Sequence, residues 1–317
     1  MKNDKQKEIK YFSMFSGVGG FELGIGERGK CIGQSEIDKY ASELLKQKWP
    51  SIKNYGDATK IISEELPDFN LLVGGFPCQA FSIAGKRRGF EDTRGTLFYD
   101  IARILKVKRP EYILLENVKG LLSHDQGRTF GTIIATLSEL GYVIQWMVLN
   151  SKFFGVPQNR ERVFIIGSLR GKPIPEILPL GESNQINIRK PKTSVARTLS
   201  AGYYKQGQWE QYIKINSATK KGYSEAEVGD GIRLEYPESK TARGRVIKGN
   251  ANTLKSGTEG VVDKDMKIRR LTPTECERLQ GFPDGWTEGF SDTQRYKMMG
   301  NAVTVNVVKA VIGELFK

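Results

Sequence analysis

Short apolar runs alternate with amphipathic stretches along the first half of the chain, and this alternation constrains the fold more than any other feature. Runs typical of buried strands are predicted at 9–15, 31–36, 71–73, 112–116, 142–149 and 163–166. Helical spacing of apolar residues follows Asp38, a predicted cap, and recurs at 97–105 and 130–140. Strands that alternate with helices form a mostly parallel sheet with helices on both faces. The predicted fold class is therefore α/β.

The composition changes from about Gly171 onward. The segment "GKPIPEILPLGESNQ" is rich in proline, glycine and polar residues, as linkers are. Residues 190–265 are rich in Gly, Lys, Arg, Ser and Thr and have no sustained helical period, which predicts a smaller, irregular or β-rich second domain. Helical patterns return in "LTPTECERLQGF" and "AVTVNVVKAVIGELF".

The net charge of the chain bears on its partners. Its 317 residues include 49 lysines and arginines against 36 aspartates and glutamates, a formal net charge of +13. The length suffices for one large domain or two ordinary ones. Such a basic excess favours a polyanion such as nucleic acid, although a merely soluble basic protein would show it too.

Cysteine and histidine are scarce in this sequence. Three cysteines (Cys31, Cys78 and Cys276) lie far apart, and His124 is the only histidine. We therefore expect neither a disulfide scaffold nor a structural zinc site, and no Ser-His-Asp or Cys-His catalysis unless His124 takes part. The sequence has no signal-peptide core and no apolar run near the ~18 residues of a membrane span. We expect a soluble protein in the reducing cytoplasm.

A glycine-rich turn joins the first predicted strand to the helix after it. In "FSMFSGVGGFELGIG", Gly17, Gly19 and Gly20 allow a ligand to approach the backbone closely. Glu36 ends the second strand about 20 residues later, where an acid binds the two hydroxyls of a ribose. Because Glu22 replaces the third glycine of the dinucleotide pattern, a nucleoside-type cofactor is favoured over a pyrophosphate dinucleotide. A plain tight turn is the alternative.

Cys78 lies just after the third strand, in "LLVGGFPCQAFS", and thus at the carboxyl edge of the sheet, where such folds bind ligands. The glycine-rich, basic residues 80–95 that follow predict a mobile loop over a polyanion. A cysteine at a strand end is more often buried and inert. Its charged neighbours favour the reactive alternative.

Those neighbours stand near the ends of other predicted strands. Glu116 ends the strand in "LLENVKG", and Arg160 and Arg162 are predicted to share one face of the strand that begins in "PQNRERVF". Taken alone, an acid at a strand end usually caps neighbouring backbone groups, and a pair of arginines usually lies on a solvent-exposed face. With Cys78 and a nucleoside-type cofactor, they suit covalent addition to an electron-poor ring that the acid activates.

The chain resembles the bacterial and phage cytosine-5 DNA methyltransferases of restriction–modification systems along nearly its whole length. The resemblance rests on motifs in the family's order: "FSGVGGFELG", "SEIDKYA", "GDATKI", "GGFPCQAFSIAGKRRGFEDTRGTLF", "ENVKGLLSHD", "GVPQNRERVF", "RRLTPTECERLQGFPD" and "GNAVTVNVV". Pro-Cys-Gln, Glu-Asn-Val and Gln-x-Arg-x-Arg at these spacings are highly specific. The resemblance implies a Rossmann-like S-adenosylmethionine-dependent methyltransferase domain and a smaller target-recognition domain.

The resemblance implies S-adenosylmethionine as methyl donor, S-adenosylhomocysteine as product, and no metal. The implied pocket residues are Phe15, Ser16, Gly17, Val18 and Gly19 around the donor, Glu36 at the ribose, Ile37 and Asp57 at the adenine, and Pro77, Asn301 and Val303 at the methionine end. Ala302 fits the small residue of the last motif but lacks the hydroxyl that some family members carry.

The resemblance also implies base flipping and attack by Cys78 on cytosine carbon 6. Glu116 would engage ring nitrogen 3 and the amino group, Arg162 the ring carbonyl, and Arg160 would support Cys78 or the loop. DNA contacts are expected from Ser82, Lys86, Arg87 and Arg88 in the loop, and from Arg243, Arg245, Lys248 and Thr253 in the recognition domain. For the last set, base reading, phosphate contact and plain solvated charge are all open.

The implied organisation is a catalytic domain at 1–180, completed by 295–317, with a recognition domain and hinge at 181–294. The partner would be double-stranded DNA, with no membrane, and a cognate restriction endonuclease would act separately. We expect a monomer.

Three other functions are weighed against this one. A tRNA cytosine-5 methyltransferase would share the donor fold, but the long segment between "QNRER" and "RRLTPTEC" and the Pro-Cys-Gln cysteine favour DNA. A nucleotide-binding oxidoreductase is disfavoured by the broken glycine pattern and the missing proton-relay histidine. A catalytically silent DNA-binding relative is disfavoured because Cys78, Glu116 and Arg162 are all present.

Overall fold

The computed structural model describes residues 8–77, 97–177, 180, 213–234, 244–251, 253–254, 259–265 and 267–317. Several predicted site residues lie outside the described residues, namely Cys78, Ser82, Lys86, Arg87, Arg88 and Arg243. The chain divides into two compact units, the first comprising 1–149, 161–180 and 307–317, and the second 150–160 and 181–306. Among the helices in the described residues, none is long and apolar enough to cross a membrane.

A six-stranded sheet lies in the first unit, in the order β2-β1-β3-β4-β6-β5. Its strands are β1 (Ile9–Met14), β2 (Gly29–Ser35), β3 (Leu71–Gly75), β4 (Tyr112–Val118), β5 (Tyr142–Asn150) and β6 (Glu161–Leu169). β1 pairs in parallel with β2 and β3, and β3 with β4, whereas β6 runs antiparallel to β4. The predicted mostly parallel sheet is confirmed.

Several helices of the described residues bury apolar side chains. They are α1 (Gly20–Ile25), α2 (Lys39–Lys48), α3 (Leu97–Lys108), α4 (Arg128–Glu139) and, later in the chain, α7 (Val305–Leu315). Asp38 caps α2 as predicted, because its Oδ1 accepts the N–H groups of Tyr40 at 3.0 Å and Ala41 at 3.1 Å. Ile101 and Ile104 of α3 are fully buried in one core cluster with strand residues such as Leu72. The helices at 97–105 and 130–140 and the α2 cap were correctly predicted.

Short antiparallel strands occupy the second unit. β7 (Ile213–Asn216) pairs with β8 (Tyr223–Ala226), and a four-stranded sheet has β9 (Gly231–Arg233), β10 (Val246–Ile247), β11 (Glu259–Val262) and β12 (Ile268–Arg270) in the order β10-β9-β11-β12. The buried residues of one small hydrophobic core come from both of these sheets, namely Ile215, Ala226, Ile232 and Val262. Two helices follow, α5 (Pro273–Leu279), which begins with a capping box, and α6 (Asp292–Asn301). The predicted small, β-rich part of the chain is confirmed.

Gly74 is required where β3 passes β1. The parallel register places Gly74 beside Met14, and a Cβ at Gly74 would lie 2.9 Å from the Met14 carbonyl oxygen. The obstacle is backbone, which cannot rotate away as a side chain can. The close pairing of β1 and β3 therefore requires glycine at position 74.

We predict that Gly74→Ala lowers the free energy of unfolding by about 1–3 kcal/mol, because the sheet must separate locally to admit the methyl group. The matched control is Gly131→Ala on the exposed face of α4, where a Cβ would meet no atom within 4 Å. That change should raise the free energy of unfolding by about 0.5–1 kcal/mol, through helix propensity. Urea denaturation measures both, and a Gly74→Ala protein as stable as wild type would contradict the packing account.

Candidate active site

The turn between β1 and α1, residues 15–19, is called here the glycine turn. Its φ angles are 53° at Phe15, 56° at Gly17 and 86° at Gly19. Positive φ is unstrained for glycine and unfavourable for a bulky residue such as Phe15, so the surrounding structure must hold it. The Ser16 N–H donates to the Ser35 carbonyl at 3.1 Å, and the Gly19 N–H to the Ser16 carbonyl at 3.0 Å. The turn is thereby fastened to the end of β2.

Glu36, which follows β2, is held beside the glycine turn. Its Oε2 accepts the Gly17 N–H at 2.8 Å, and its Oε1 accepts the Asp38 N–H at 2.8 Å. Asn54 accepts the Glu36 N–H at 3.0 Å and donates from Nδ2 to the Glu36 carbonyl at 3.2 Å. Asn54 was not singled out from the sequence, because nothing in its local pattern distinguishes it from a loop residue. Both the backbone and the side chain of Glu36 are fixed.

The groups around the turn fit the adenosine part of S-adenosylmethionine. A Cβ at Gly17 would meet no atom within 4 Å, so open space lies beside the turn. Ile37 follows Glu36 and is 74% exposed, so its apolar side chain is available to pack on the face of a base. Asp57 is half-buried, and hydrogen bonds from the Thr59 side chain and N–H lower its pKa. A carboxylate for ribose hydroxyls, an apolar face and a second carboxylate for an amino group are all available.

The chain that leads into Cys78 is fixed by β4. The Asn117 side chain is 2% exposed and donates from Nδ2 to the Phe76 carbonyl at 2.9 Å. The Phe76 ring packs on Phe98 with 5.6 Å between ring centroids, whereas Pro77 is exposed. Sequence reasoning used only the acid of Glu-Asn-Val and missed this role of Asn117. The backbone is therefore held in a fixed direction at Phe76, two residues before Cys78.

A largely buried ion pair joins Glu116 of β4 to Arg162 of β6. Arg162 Nε lies 3.0 Å from Glu116 Oε1, and the two side chains are 15% and 12% exposed. The parallel register pairs Glu116 with Gly75, and the antiparallel register pairs Arg162 with Val118, so acid and arginine are diagonal neighbours. Burial lowers the pKa of Arg162, and Glu116 opposes that shift. The guanidinium stays charged and orients the carboxyl group.

Arg160 binds a different segment. Its Nη1 donates to the Gly300 carbonyl at 3.2 Å and its Nη2 to the Ala302 carbonyl at 2.7 Å. These two carbonyls flank Asn301, which is exposed, while Val303 is buried. The prediction that Arg160 and Arg162 share a strand face is wrong, because β6 begins at Glu161 and Arg160 precedes it. Arg160 fixes the backbone of the Gly-Asn motif.

The remaining two cysteines are buried, and the histidine is half-buried with a hydroxyl partner. Cys31 and Cys276 are free thiols, and burial raises the pKa of each to about 12. Thiols in this state are poor nucleophiles at neutral pH. His124 Nδ1 lies 2.7 Å from the Thr129 hydroxyl, at the start of α4. Within the described ranges, no cluster of three or more His, Cys, Asp or Glu side chains is arranged to hold a metal ion.

Three residues with predicted DNA contacts have partners inside the second unit. The Arg245 guanidinium is buried and donates to the Asn216 and Arg233 carbonyls at 3.0 and 3.4 Å. Lys248 Nζ lies 2.8 Å from a Glu227 oxygen and 2.9 Å from an Asp230 oxygen, and these hydrogen bonds raise its pKa. The Thr253 hydroxyl donates to the Asn159 carbonyl at 2.8 Å. Their contacts with DNA stay predictions.

Full-length relatives of the chain are methyltransferases by name. The type II methyltransferase M1.ScrFI of Lactococcus lactis subsp. cremoris is 40% identical, with 100% of this chain and 80% of the relative covered. M.NlaX of Neisseria lactamica is 35% identical, with coverages of 97% and 96%. M.HpaII of Haemophilus parainfluenzae is 36% identical, with coverages of 96% and 88%.

Solved structures agree on the fold. A variant of DNMT2 from Spodoptera frugiperda has a TM-score of 0.65 at 18% identity, covering 98% of this chain and 100% of the other. A putative DNA modification methyltransferase encoded in an E. coli prophage has a TM-score of 0.66 at 20% identity, covering 98% and 99%. The family model described as C-5 cytosine-specific DNA methylase matches residues 9–317. The chain therefore belongs to the C-5 cytosine-specific DNA methylase family.

Proposed function

We propose that this chain methylates carbon 5 of cytosine at a specific sequence in double-stranded DNA, with S-adenosylmethionine as the donor. The observation that carries the proposal is the Glu116–Arg162 ion pair. Glu116 pairs in the sheet with Gly75, the last residue of the strand that leads to Cys78. An oriented acid and a cation at this position suit a heteroaromatic ring with a nitrogen, an amino group and a carbonyl. The net charge of +13 supports a polyanionic substrate.

The donor supplies an electrophilic methyl group. We assign the ribose hydroxyls to Glu36, the adenine face to Ile37 and the adenine amino group to Asp57. The glycine turn, with Phe15, Ser16, Gly17, Val18 and Gly19, would surround the donor, and Pro77, Asn301 and Val303 would form its methionine end. The hydrogen bonds that fix Glu36 support the first assignment, because a fixed carboxylate loses little entropy when it binds.

Cysteine addition prepares the base for methylation. A cytosine in a duplex is shielded by stacking and must be flipped out. Cys78, as thiolate, adds to carbon 6, while Glu116 engages ring nitrogen 3 and the amino group. Carbon 5 then becomes nucleophilic and takes the methyl group, with S-adenosylhomocysteine as the leaving group. It loses its proton to water, the proton at ring nitrogen 3 returns to Glu116, and the Cys78 sulfur leaves as a thiolate. The raised pKa values of Cys31 and Cys276 support Cys78 as the reactive thiol.

The two arginines have separate roles in this proposal. Arg162 uses Nε for Glu116 and Nη1 for the Glu161 carbonyl at 2.8 Å, so we assign Nη2 to the ring carbonyl of cytosine. Arg160 holds the Gly300 and Ala302 carbonyls and thereby positions Asn301 and Val303. Arg160 is thus a positioning residue rather than a group that contacts the base.

DNA would be bound by two parts of the chain. Ser82, Lys86, Arg87 and Arg88 would contact the target strand, and Arg243, Arg245, Lys248 and Thr253 the DNA beside it. Residues 181–294 would form the recognition domain and hinge, and residues 1–180 with 295–317 the catalytic domain. We expect a cytoplasmic monomer without a metal cofactor, with any cognate endonuclease acting separately.

The direct test incubates unmethylated genomic DNA, and separately tRNA, with the protein and labelled S-adenosylmethionine. Sequencing then maps the modified bases. We expect 5-methylcytosine in DNA within one short sequence. Label in tRNA but not in DNA would replace the proposal with RNA methylation, and label on adenine would refute the mechanism.

We predict that Cys78→Ala abolishes methyl transfer while calorimetric binding of S-adenosylmethionine persists, because the thiol attacks the base and does not hold the donor. Cys276→Ala is the matched control, since that thiol is buried and its pKa is raised to about 12. The control should retain activity. Substantial methylation by Cys78→Ala would rule out covalent catalysis.

We predict that Glu116→Gln lowers kcat by about 10²–10⁴-fold with little change in the KM for the donor, because the amide cannot supply a proton to ring nitrogen 3. Glu161→Gln is the control, since Glu161 is a 44%-exposed partner of Lys119 at 2.9 Å. Steady-state kinetics with duplex DNA distinguish the two. A Glu116→Gln enzyme with near-normal kcat would remove this residue from the chemistry.

A further inference from the structure

A buried carboxyl group lies next to the glycine turn, and the proposed chemistry does not use it. Glu22 of α1 is 3% exposed. Its Oε1 accepts a hydrogen bond of 2.9 Å from Nε2 of Gln34, which is 1% exposed. The backbone of Gln34 is fixed in turn, since its N–H donates to the Lys53 carbonyl and its carbonyl accepts the Tyr55 N–H. Glu22 thus links α1 to the strand that leads to Glu36.

Two buried hydroxyls adjoin the same carboxyl group. The Ser16 hydroxyl donates to the Ser13 carbonyl at 3.0 Å and lies 3.0 Å from the Ser13 hydroxyl. Ser13 belongs to β1 and is paired with Gln34 in the sheet, and Ser16 belongs to the glycine turn. Glu22 Oε2 is buried and makes no hydrogen bond of good geometry with the described residues, although the Ser13 and Ser16 side chains lie close enough to interact with the carboxyl group. One oxygen of the carboxyl group therefore lacks the well-directed donor that an ionised carboxylate needs.

A protonated Oε2 removes this difficulty. The O–H group would be a donor, and the Ser13 and Ser16 oxygens beside it have lone pairs to accept it. Among the described residues, no cation contributes to the pKa shift of Glu22, and Tyr11 of β1 and Cys31 of β2 are titratable groups that interact with it electrostatically. Burial raises the pKa of both of these, so both are uncharged at neutral pH. Burial also raises the pKa of Glu22, more than its hydrogen bonds lower it.

We propose that Glu22 is a positioning residue of the donor site, a neutral carboxylic acid that joins α1, Gln34, Ser13 of β1 and Ser16 of the glycine turn. Through these bonds it sets the glycine turn against Glu36, the assigned ribose ligand. The positioning role rests on the proposed function, since it requires that the turn bind S-adenosylmethionine. The protonation state can be tested without any donor.

The first experiment compares Glu22→Gln with wild type in donor-free urea denaturation between pH 5 and 8. An unfolded glutamate titrates at about pH 4.3, so wild type must take up a proton on folding at higher pH. Wild-type stability should therefore fall as the pH rises toward the folded pKa of Glu22, by up to about tenfold in the unfolding constant per pH unit. Glu22→Gln lacks this group, so its stability relative to wild type should increase with pH.

The matched control is Glu43→Gln, at an exposed position of α2, which should keep a constant difference from wild type across the range. A Glu22→Gln protein whose stability difference from wild type stays constant between pH 5 and 8, as in the control, would show that Glu22 folds as a carboxylate. That result would overturn the proposal.

The second experiment measures S-adenosylmethionine binding by calorimetry at pH 7.5. We expect Glu22→Gln to bind within about threefold of wild type, because the amide keeps an acceptor and a donor. Glu22→Leu should bind at least tenfold more weakly, with the KM for DNA unchanged. Normal donor binding by a folded Glu22→Leu protein would refute the positioning role alone, whereas a wild-type chain that binds no donor would refute the proposed function. If Glu22→Leu does not fold, Gln34→Leu provides the same comparison from the other side of the hydrogen bond.

Discussion

The pairing of β4 with β3 and β6 determines where the Glu116–Arg162 ion pair lies in the first unit. Parallel pairing with β3 aligns Glu116 with Gly75, and antiparallel pairing with β6 brings Arg162 diagonally opposite. A one-residue shift in either register would turn one member of the ion pair to the other face of the sheet. Gly74 and Gly75 permit this arrangement, because a Cβ there would press on the Met14 carbonyl and on Glu116 Oε2 respectively. The ion pair therefore depends on strand register and on glycine, which has no side chain, at positions 74 and 75.

Two buried acids of the first unit have opposite surroundings. Glu116 faces a guanidinium at 3.0 Å, whereas Glu22 faces the side-chain amide of Gln34 at 2.9 Å. Burial raises the pKa of Glu22, which has no cation beside it among the described residues, whereas Glu116 has the Arg162 guanidinium as its neighbour. In the proposed function, the first acid would orient and activate the substrate ring, and the second would fix the backbone that receives the donor.

Much of this arrangement was predictable from the sequence. Apolar runs located the six strands of the main sheet, and the Asp38 cap and apolar spacing located α2, α3 and α4, because burial and capping are local signals. The antiparallel direction of β6 was not predicted, since an apolar run carries no sign of its direction. Helix α6 was also missed, because only Tyr296, Met298 and Met299 of its ten residues are buried. Asn54, Asn117 and the carbonyl partners of Arg160 act through contacts between residues distant in sequence, which no single motif encodes.

In the proposed reaction, Cys78 forms a covalent bond with cytosine while Glu116 and Arg162 hold the ring. Duplex DNA that carries 5-fluorocytosine at the methylated position can trap this bond, because fluorine at carbon 5 cannot leave as a proton does. The reaction should stop with the DNA attached to the protein, and peptide mass spectrometry should locate the attachment at Cys78, only when S-adenosylmethionine is present for methyl transfer. Release of unattached DNA, or attachment at another residue, would contradict the account.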